Sequence, residues 1–139
     1  MICGSVTVLS SNYSIPSLVE RIYPIEQKIL IMAQNLGFNE DDCFRLRLAM
    51  DEAMVNAIIH GNLHDRAKNV YVEARGHPRA FEVTIRDEGH GFDINSLKDP
   101  TAAGNLHATH GRGVFLIRQF MSDVFFNELG NQITFVLRK

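Results

Sequence analysis

At 139 residues the chain has room for one domain with one core, and its 45% hydrophobic and 22% charged residues argue against disorder. A formal net charge of −2 points away from nucleic acid or an anionic membrane as the main partner. The longest apolar run, residues 29–33, is far too short to span a bilayer. Cys3 and Cys43 match no metal spacing, and Met1-Ile2-Cys3-Gly4 lacks the layout of a signal peptide. The expectation is one cytoplasmic domain over residues 1–139, without internal repeats.

Taken in order, residues 5–10 (Ser-Val-Thr-Val-Leu-Ser) predict a first strand at a sheet edge. Ser14-Ile15-Pro16 predicts the start of a helix, with Leu18, Ile22, Ile25 and Ile29 at helical spacing up to Gly37. Pro24 falls inside that pattern and is expected to bend or interrupt it. Asn39 reads as an N-cap before Glu40, Asp41 and Asp42, where negative charge suits a first turn. The helix it opens is expected to run to about His60, with Leu48, Val55, Ile58 and Ile59 toward a sheet and Arg45, Ala49, Glu52, Asn56 and His60 on another face. Residues 69–75 and 81–86 alternate as the two strands of a hairpin about Gly76-His77-Pro78-Arg79. Residues 93–110 show little periodicity, as a functional lid or a disordered stretch would. A helix follows Gly111-Arg112-Gly113, and residues 124–128 and 132–137 form a last hairpin. This order predicts an α+β fold, a two-layer sandwich with a mixed, mostly antiparallel sheet and helices on one face.

Three patterns carry chemistry. Glu52 and Asn56 stand one turn apart beside small Ala49 and Ala53; a carboxylate can take a proton, and an amide oxygen is a hard ligand suited to Mg²⁺. Alone, such a pair is more often a solvated polar face. Asp87-x-Gly89-x-Gly91 follows a predicted strand, where the carboxylate can accept from an exocyclic amine and the glycines leave room for a ring. Gly111-Arg112-Gly113 precedes a helix, whose N-terminus suits phosphate oxygens, with Arg112 able to add a charge-assisted contact. His60 and His64, with His107 and His110, raise the idea of zinc, but no thiolate or third ligand stands near them. His60 reads better as a neighbour of Asn56.

Together, in this order and on these elements, the three patterns resemble those of the GHKL ATPase superfamily, with its N box and two glycine boxes. The Glu-Ala-x-x-Asn-Ala-Ile-x-His-Gly wording and Gly-Phe-Asp after the glycine box resemble the anti-sigma factor serine kinases of the RsbW type, over nearly the whole chain. The resemblance implies a Bergerat fold that binds ATP and Mg²⁺, holds a sigma factor inactive, and phosphorylates a serine on an anti-sigma factor antagonist of the STAS type. It further implies a homodimer. By position it makes Glu52 the general base and Asn56 the Mg²⁺ ligand. Asp87 becomes the adenine-reading carboxylate with Gly89 and Gly91 around the base; Gly111, Arg112, Gly113 and Val114 become the phosphate side, and residues 95–110 the ATP lid. The chain departs from the pattern at Gly130, followed by Asn131 and Gln132 where Gly-Thr is common. It departs again at Pro24, in a region that commonly touches sigma; Glu20 and Arg21 are candidate contacts there. The alternative is a nucleotide-gated binding module with little or no kinase activity. The catalytic half of a histidine kinase is disfavoured, since no phosphoacceptor helix fits before Asn39.

Overall fold

The alternation in the middle of the chain becomes a sheet with one apolar and one polar face. The structure, a computed structural model, describes residues 8–91 and 109–139, with the backbone alone at 109–112. Among them β1 (Leu9–Pro16), β2 (Asn69–His77), β3 (Ala80–Arg86), β4 (Asp123–Phe126) and β5 (Gln132–Arg138) form one sheet in the order β1-β2-β3-β5-β4. Each neighbouring pair is antiparallel, so the described sheet is wholly antiparallel rather than mixed. Its register sets apolar rows across β2, β3 and β5: Val72, Ile85 and Ile133 in one, Ala74, Val83 and Phe135 in the next. All of these are buried. The opposite face is polar, with the Arg86 guanidinium 4.3 Å from the centre of the Tyr71 ring and the Thr84 and Thr134 hydroxyls 2.8 Å apart.

Three helices join the apolar face in a shared core: α1 (Ile22–Asn35), α2 (Glu40–Asn56) and α3 (Thr109–Phe120). This is the expected two-layer α+β arrangement. The α2 start is fixed as its sequence suggests. Asn39 Oδ1 accepts from the Asp42 N–H at 2.8 Å, and the Asp42 carboxylate accepts from the Asn39 N–H at 3.2 Å, a reciprocal capping box.

Several expectations are corrected. The first strand is Leu9–Pro16, not residues 5–10, because the pairing of Leu9 with Gly76 through Pro16 with Asn69 outweighs the weak alternation of Ser and Asn. Pro16 therefore ends a strand rather than opening a helix. Pro24 is the third residue of α1, where its missing N–H has no intrahelical partner to lose, so it does not interrupt the helix. The face of α2 toward the core carries Leu46, Met50, Ala53 and Met54, while Leu48 and Val55 are only half-buried. The regular helix stops at Asn56 and widens into a π turn over Ala57–Gly61, closed by the Asn62 N–H on the Ala57 carbonyl at 2.8 Å. The last hairpin is shorter on its first side, Asp123–Phe126. Helix α3 begins at Thr109, so Gly111-Arg112-Gly113 lie within its first turns rather than ahead of them.

Candidate functional site

The end of α2, the C-terminal end of β3 and the start of α3 converge on a cleft of about 500 Å³ of empty space, part of it open to solvent. Its walls are mostly apolar, with Ala53, Ala57, Ile85, Val114, Ile117 and Ile133 below and Phe126 at the side, and its polar groups are Asn56, Asp87, Asn131 and Gln132. Small Ala53 and Ala57 on the last turns of α2 leave the volume that larger side chains would fill.

Asp87 follows the last residue of β3 and is 9% exposed. Its Oδ1 accepts from the Gly89 N–H at 2.7 Å. Its backbone is clamped by Asn131: the Asp87 N–H donates to the Asn131 carbonyl at 3.0 Å, and Asn131 Nδ2 donates to the Asp87 carbonyl at 3.1 Å. Burial pushes the Asp87 carboxyl above the usual carboxylate range, against the opposing pull of the Gly89 N–H, Arg86 and Lys68. A desolvated carboxyl held this way is a strong acceptor for a donor entering the cleft. The Asn131 carboxamide is committed elsewhere as well, since its oxygen accepts from Asn127 Nδ2 at 2.7 Å. Asn131 thus braces Asp87 through both its backbone and its side chain.

Close approach explains the glycines. A Cβ on Gly61 would run into the Asp87 carboxylate, and one on Gly89 into the Gly61 carbonyl. The π turn after α2 and the loop after β3 are therefore packed backbone to backbone. Gly113, buried in α3, sits against the Asn56 carboxamide; a Cβ there would overlap its nitrogen and lie 3.3 Å from Glu52 Oε2. Glu52 and Asn56, both half-buried on successive turns of α2, thus point at α3 rather than into solvent. Gly91 turns at φ +79° against the Leu129 carbonyl.

The structure brings Asn56, Asp87 and Val114 into one cleft, with Glu52 and Gly113 beside Asn56 and Gly89 beside Asp87. Gly111 and Arg112 belong to the first turn of α3 in backbone; the Arg112 side chain lies outside the described residues. So does most of the expected lid: 92–108 are not described, and Thr109 and His110 begin α3. The sequence reading missed Phe126, Ile117 and Gln132 as cleft walls, and it missed Asn62. Asn62 is 1% exposed, and its Nδ2 donates to Ser17 Oγ and to the Asn69 carbonyl, each at 3.0 Å, while its Oδ1 accepts from the Glu88 N–H at 2.7 Å.

Residues 15–137 fit the model of the histidine kinase-like ATPase domain. The chain belongs to that family. Among relatives of this ATPase domain, the anti-sigma F factor of Oceanobacillus iheyensis is 34% identical over 87 residues, 60% of this chain and 59% of that protein. The serine-protein kinase RsbW of Bacillus cereus is 28% identical over 116 residues, 79% of this chain and 72% of that one. The serine-protein kinase RsbW of Oceanobacillus iheyensis is 26% identical over 130 residues, 84% and 81% of the two chains. The chain thus spans about three-fifths of the length of the anti-sigma F factor it matches, and more of the RsbW kinases. Among the described residues of this ATPase domain no helix is long and apolar enough to cross a membrane.

Proposed function

We propose that this chain is a cytoplasmic anti-sigma factor with ATP-dependent serine kinase activity, binding a sigma factor and phosphorylating a serine of an anti-sigma factor antagonist. The observation that carries the reading is the convergence of Glu52 and Gly113 on Asn56, which lines the same cleft as buried Asp87. The family supports the nucleotide, and the names of the relatives support the regulatory role.

In this reading Asp87 accepts from the exocyclic amine of adenine, while Ile85, Ile117, Phe126 and Ile133 exclude water around the ring. The triphosphate extends toward Asn56 and the first turn of α3, where N–H groups at positions 109–111 lack intrahelical acceptors. The residues present fit a magnesium ion. Asn56 lines the cleft and offers a neutral hard-oxygen donor, its amide nitrogen lying against Gly113, and one protein ligand suits an ion that keeps water and phosphate around it. When bound, Mg²⁺ supplies charge neutralisation of the phosphates. Glu52, one turn before Asn56, accepts the proton of the attacking serine hydroxyl as the γ-phosphoryl group passes to its oxygen. Phosphoryl transfer rests mainly on positioning and electrostatics, and this is a sufficient set of groups.

Glu52→Gln is expected to keep ATP binding and to lose phosphoryl transfer by ~10²–10⁴-fold. Transfer at the wild-type rate removes Glu52 from the base role. Partners recovered from the native cell and incubated with labelled ATP separate the two functions. Sigma capture with label on an antagonist supports a kinase, whereas ATP-dependent capture with no labelled product supports a binding module alone.

A further inference from the structure

We propose that Asn62 is the positioning residue that aims the Asp87 carboxylate at the purine, an inference that rests on the nucleotide reading of the cleft. The loop after β3 is held at two points. Asn131 fixes the N–H and C=O of Asp87, and Asn62 Oδ1 fixes the N–H of Glu88, the other side of the same Asp87–Glu88 peptide. The following peptide supplies the Gly89 N–H that returns to Asp87 Oδ1, so the orientation of the clamped Asp87–Glu88 peptide sets where that donor, and with it the carboxylate, lies.

Asn62 can set that peptide because it is itself immobilised from three sides. Its N–H donates to the Ala57 carbonyl in the π turn, and its Nδ2 donates to the Asn69 carbonyl at the start of β2 and to Ser17 Oγ. The Ser17 hydroxyl in turn donates to the Lys68 carbonyl at 2.7 Å. A buried carboxamide using both ends in this way is costly to disturb, since each freed group loses its partner where water cannot replace it. The preceding residue, Gly61, touches the Asp87 carboxylate, so the same turn forms both the brace and the wall of the base site. The π widening after Asn56 is what brings Asn62 to this point.

The test is base discrimination by the full chain. Inosine triphosphate carries a carbonyl in place of the exocyclic amine, so a correctly aimed Asp87 favours ATP over it, and the ratio of the two Kd values reports that aim. Asn62→Ala is expected to reduce the ratio by about tenfold. A general loosening or partial unfolding weakens both nucleotides alike and leaves the ratio unchanged. Ser17→Ala, a milder change that frees only one Nδ2 contact, is expected to reduce it by about twofold to threefold and decides the matter if Asn62→Ala does not fold. An unchanged ratio in a folded Asn62→Ala, or failing that in Ser17→Ala, overturns the proposal. Asp87→Ala is the control. If it collapses the ratio while the Asn62 variant does not, only this inference fails; if it too leaves the ratio intact, the nucleotide reading of Asp87 fails with it.

Discussion

Gly113→Ala separates the chemistry of the site from the stability of the fold. The new Cβ would overlap the Asn56 carboxamide nitrogen and stand 3.3 Å from Glu52 Oε2. Alanine favours a helix interior over glycine by about 0.5–1 kcal/mol. Against this, Asn56 is half-buried and its carboxamide is the free end of a short side chain, so it can leave its rotamer for about 0.5–1.5 kcal/mol. The two nearly cancel, and the denaturation midpoint is expected within about 1 kcal/mol of wild type. The function does not share this tolerance. On the proposed mechanism, a displacement of order 1 Å at Asn56 or Glu52 costs ~10²-fold in rate. The assay pairs urea denaturation with transfer of label from ATP to an antagonist protein. A rate within twofold of wild type in the folded variant would show that Asn56 and Glu52 need not hold these positions, and the mechanism above would fall.

Glu26, on α1, is 2% exposed, its Oε2 has no partner among the described residues, and burial, then the hydrogen bond and charge of Asp51, push its carboxyl up to about 8 against the opposing Arg47. The folded state therefore keeps a proton that the unfolded chain releases near 4.5, so stability is full below about pH 4.5 and falls as pH rises toward 8. With Asp51 exposed and screened, we expect a loss of about 2 kcal/mol between pH 5 and 8 that Glu26→Gln abolishes; parallel stability–pH curves for the two proteins would refute it. Leu63 holds φ +53° with its side chain 75% exposed, so Leu63→Gly is expected to raise stability by about 0.5–1 kcal/mol in thermal denaturation, and a clear loss would mean that the side chain packs after all. Asn39→Ala removes half of the capping box and should cost about 1 kcal/mol by the same measurement, with no change indicating that the helix start relies on packing alone.

The legibility of the chain follows from where its residues are forced to choose. The central hairpin was readable because Val72, Ala74, Val83 and Ile85 face a covered layer and their neighbours face water, so the period of two is written in full. The α2 start was readable because a capping box is local chemistry. The buried face of α2 and the turn after it was not, because its buried residues include Ala49, Ala53 and Ala57, which carry little hydrophobic signal, whereas Leu48 and Val55 stand out in sequence and are only half-buried. Strand β1 was misplaced for a related reason: at the edge its exposed Ser10, Asn12 and Ser14 mask the inward Tyr13 and Ile15.

The candidate site divides along the same line. Glu52, Asn56, Asp87 and the glycines were found because each pattern pairs a residue type with a spacing that has a chemical use. Asn62 was invisible because an asparagine after a helix looks like any turn residue. Its weight comes from contacts with Ser17, Asn69 and Glu88, residues up to 45 positions away that only the folded chain assembles. The alanines of α2 show the connection between the two failures. The absence of side-chain bulk that hid the core face is also what leaves the cleft open beside Asn56, because Ala53 and Ala57 serve core and cleft at once. Where one surface must pack on a sheet and leave room for a ligand, small residues answer both demands, and hydrophobic periodicity fades where the function lies.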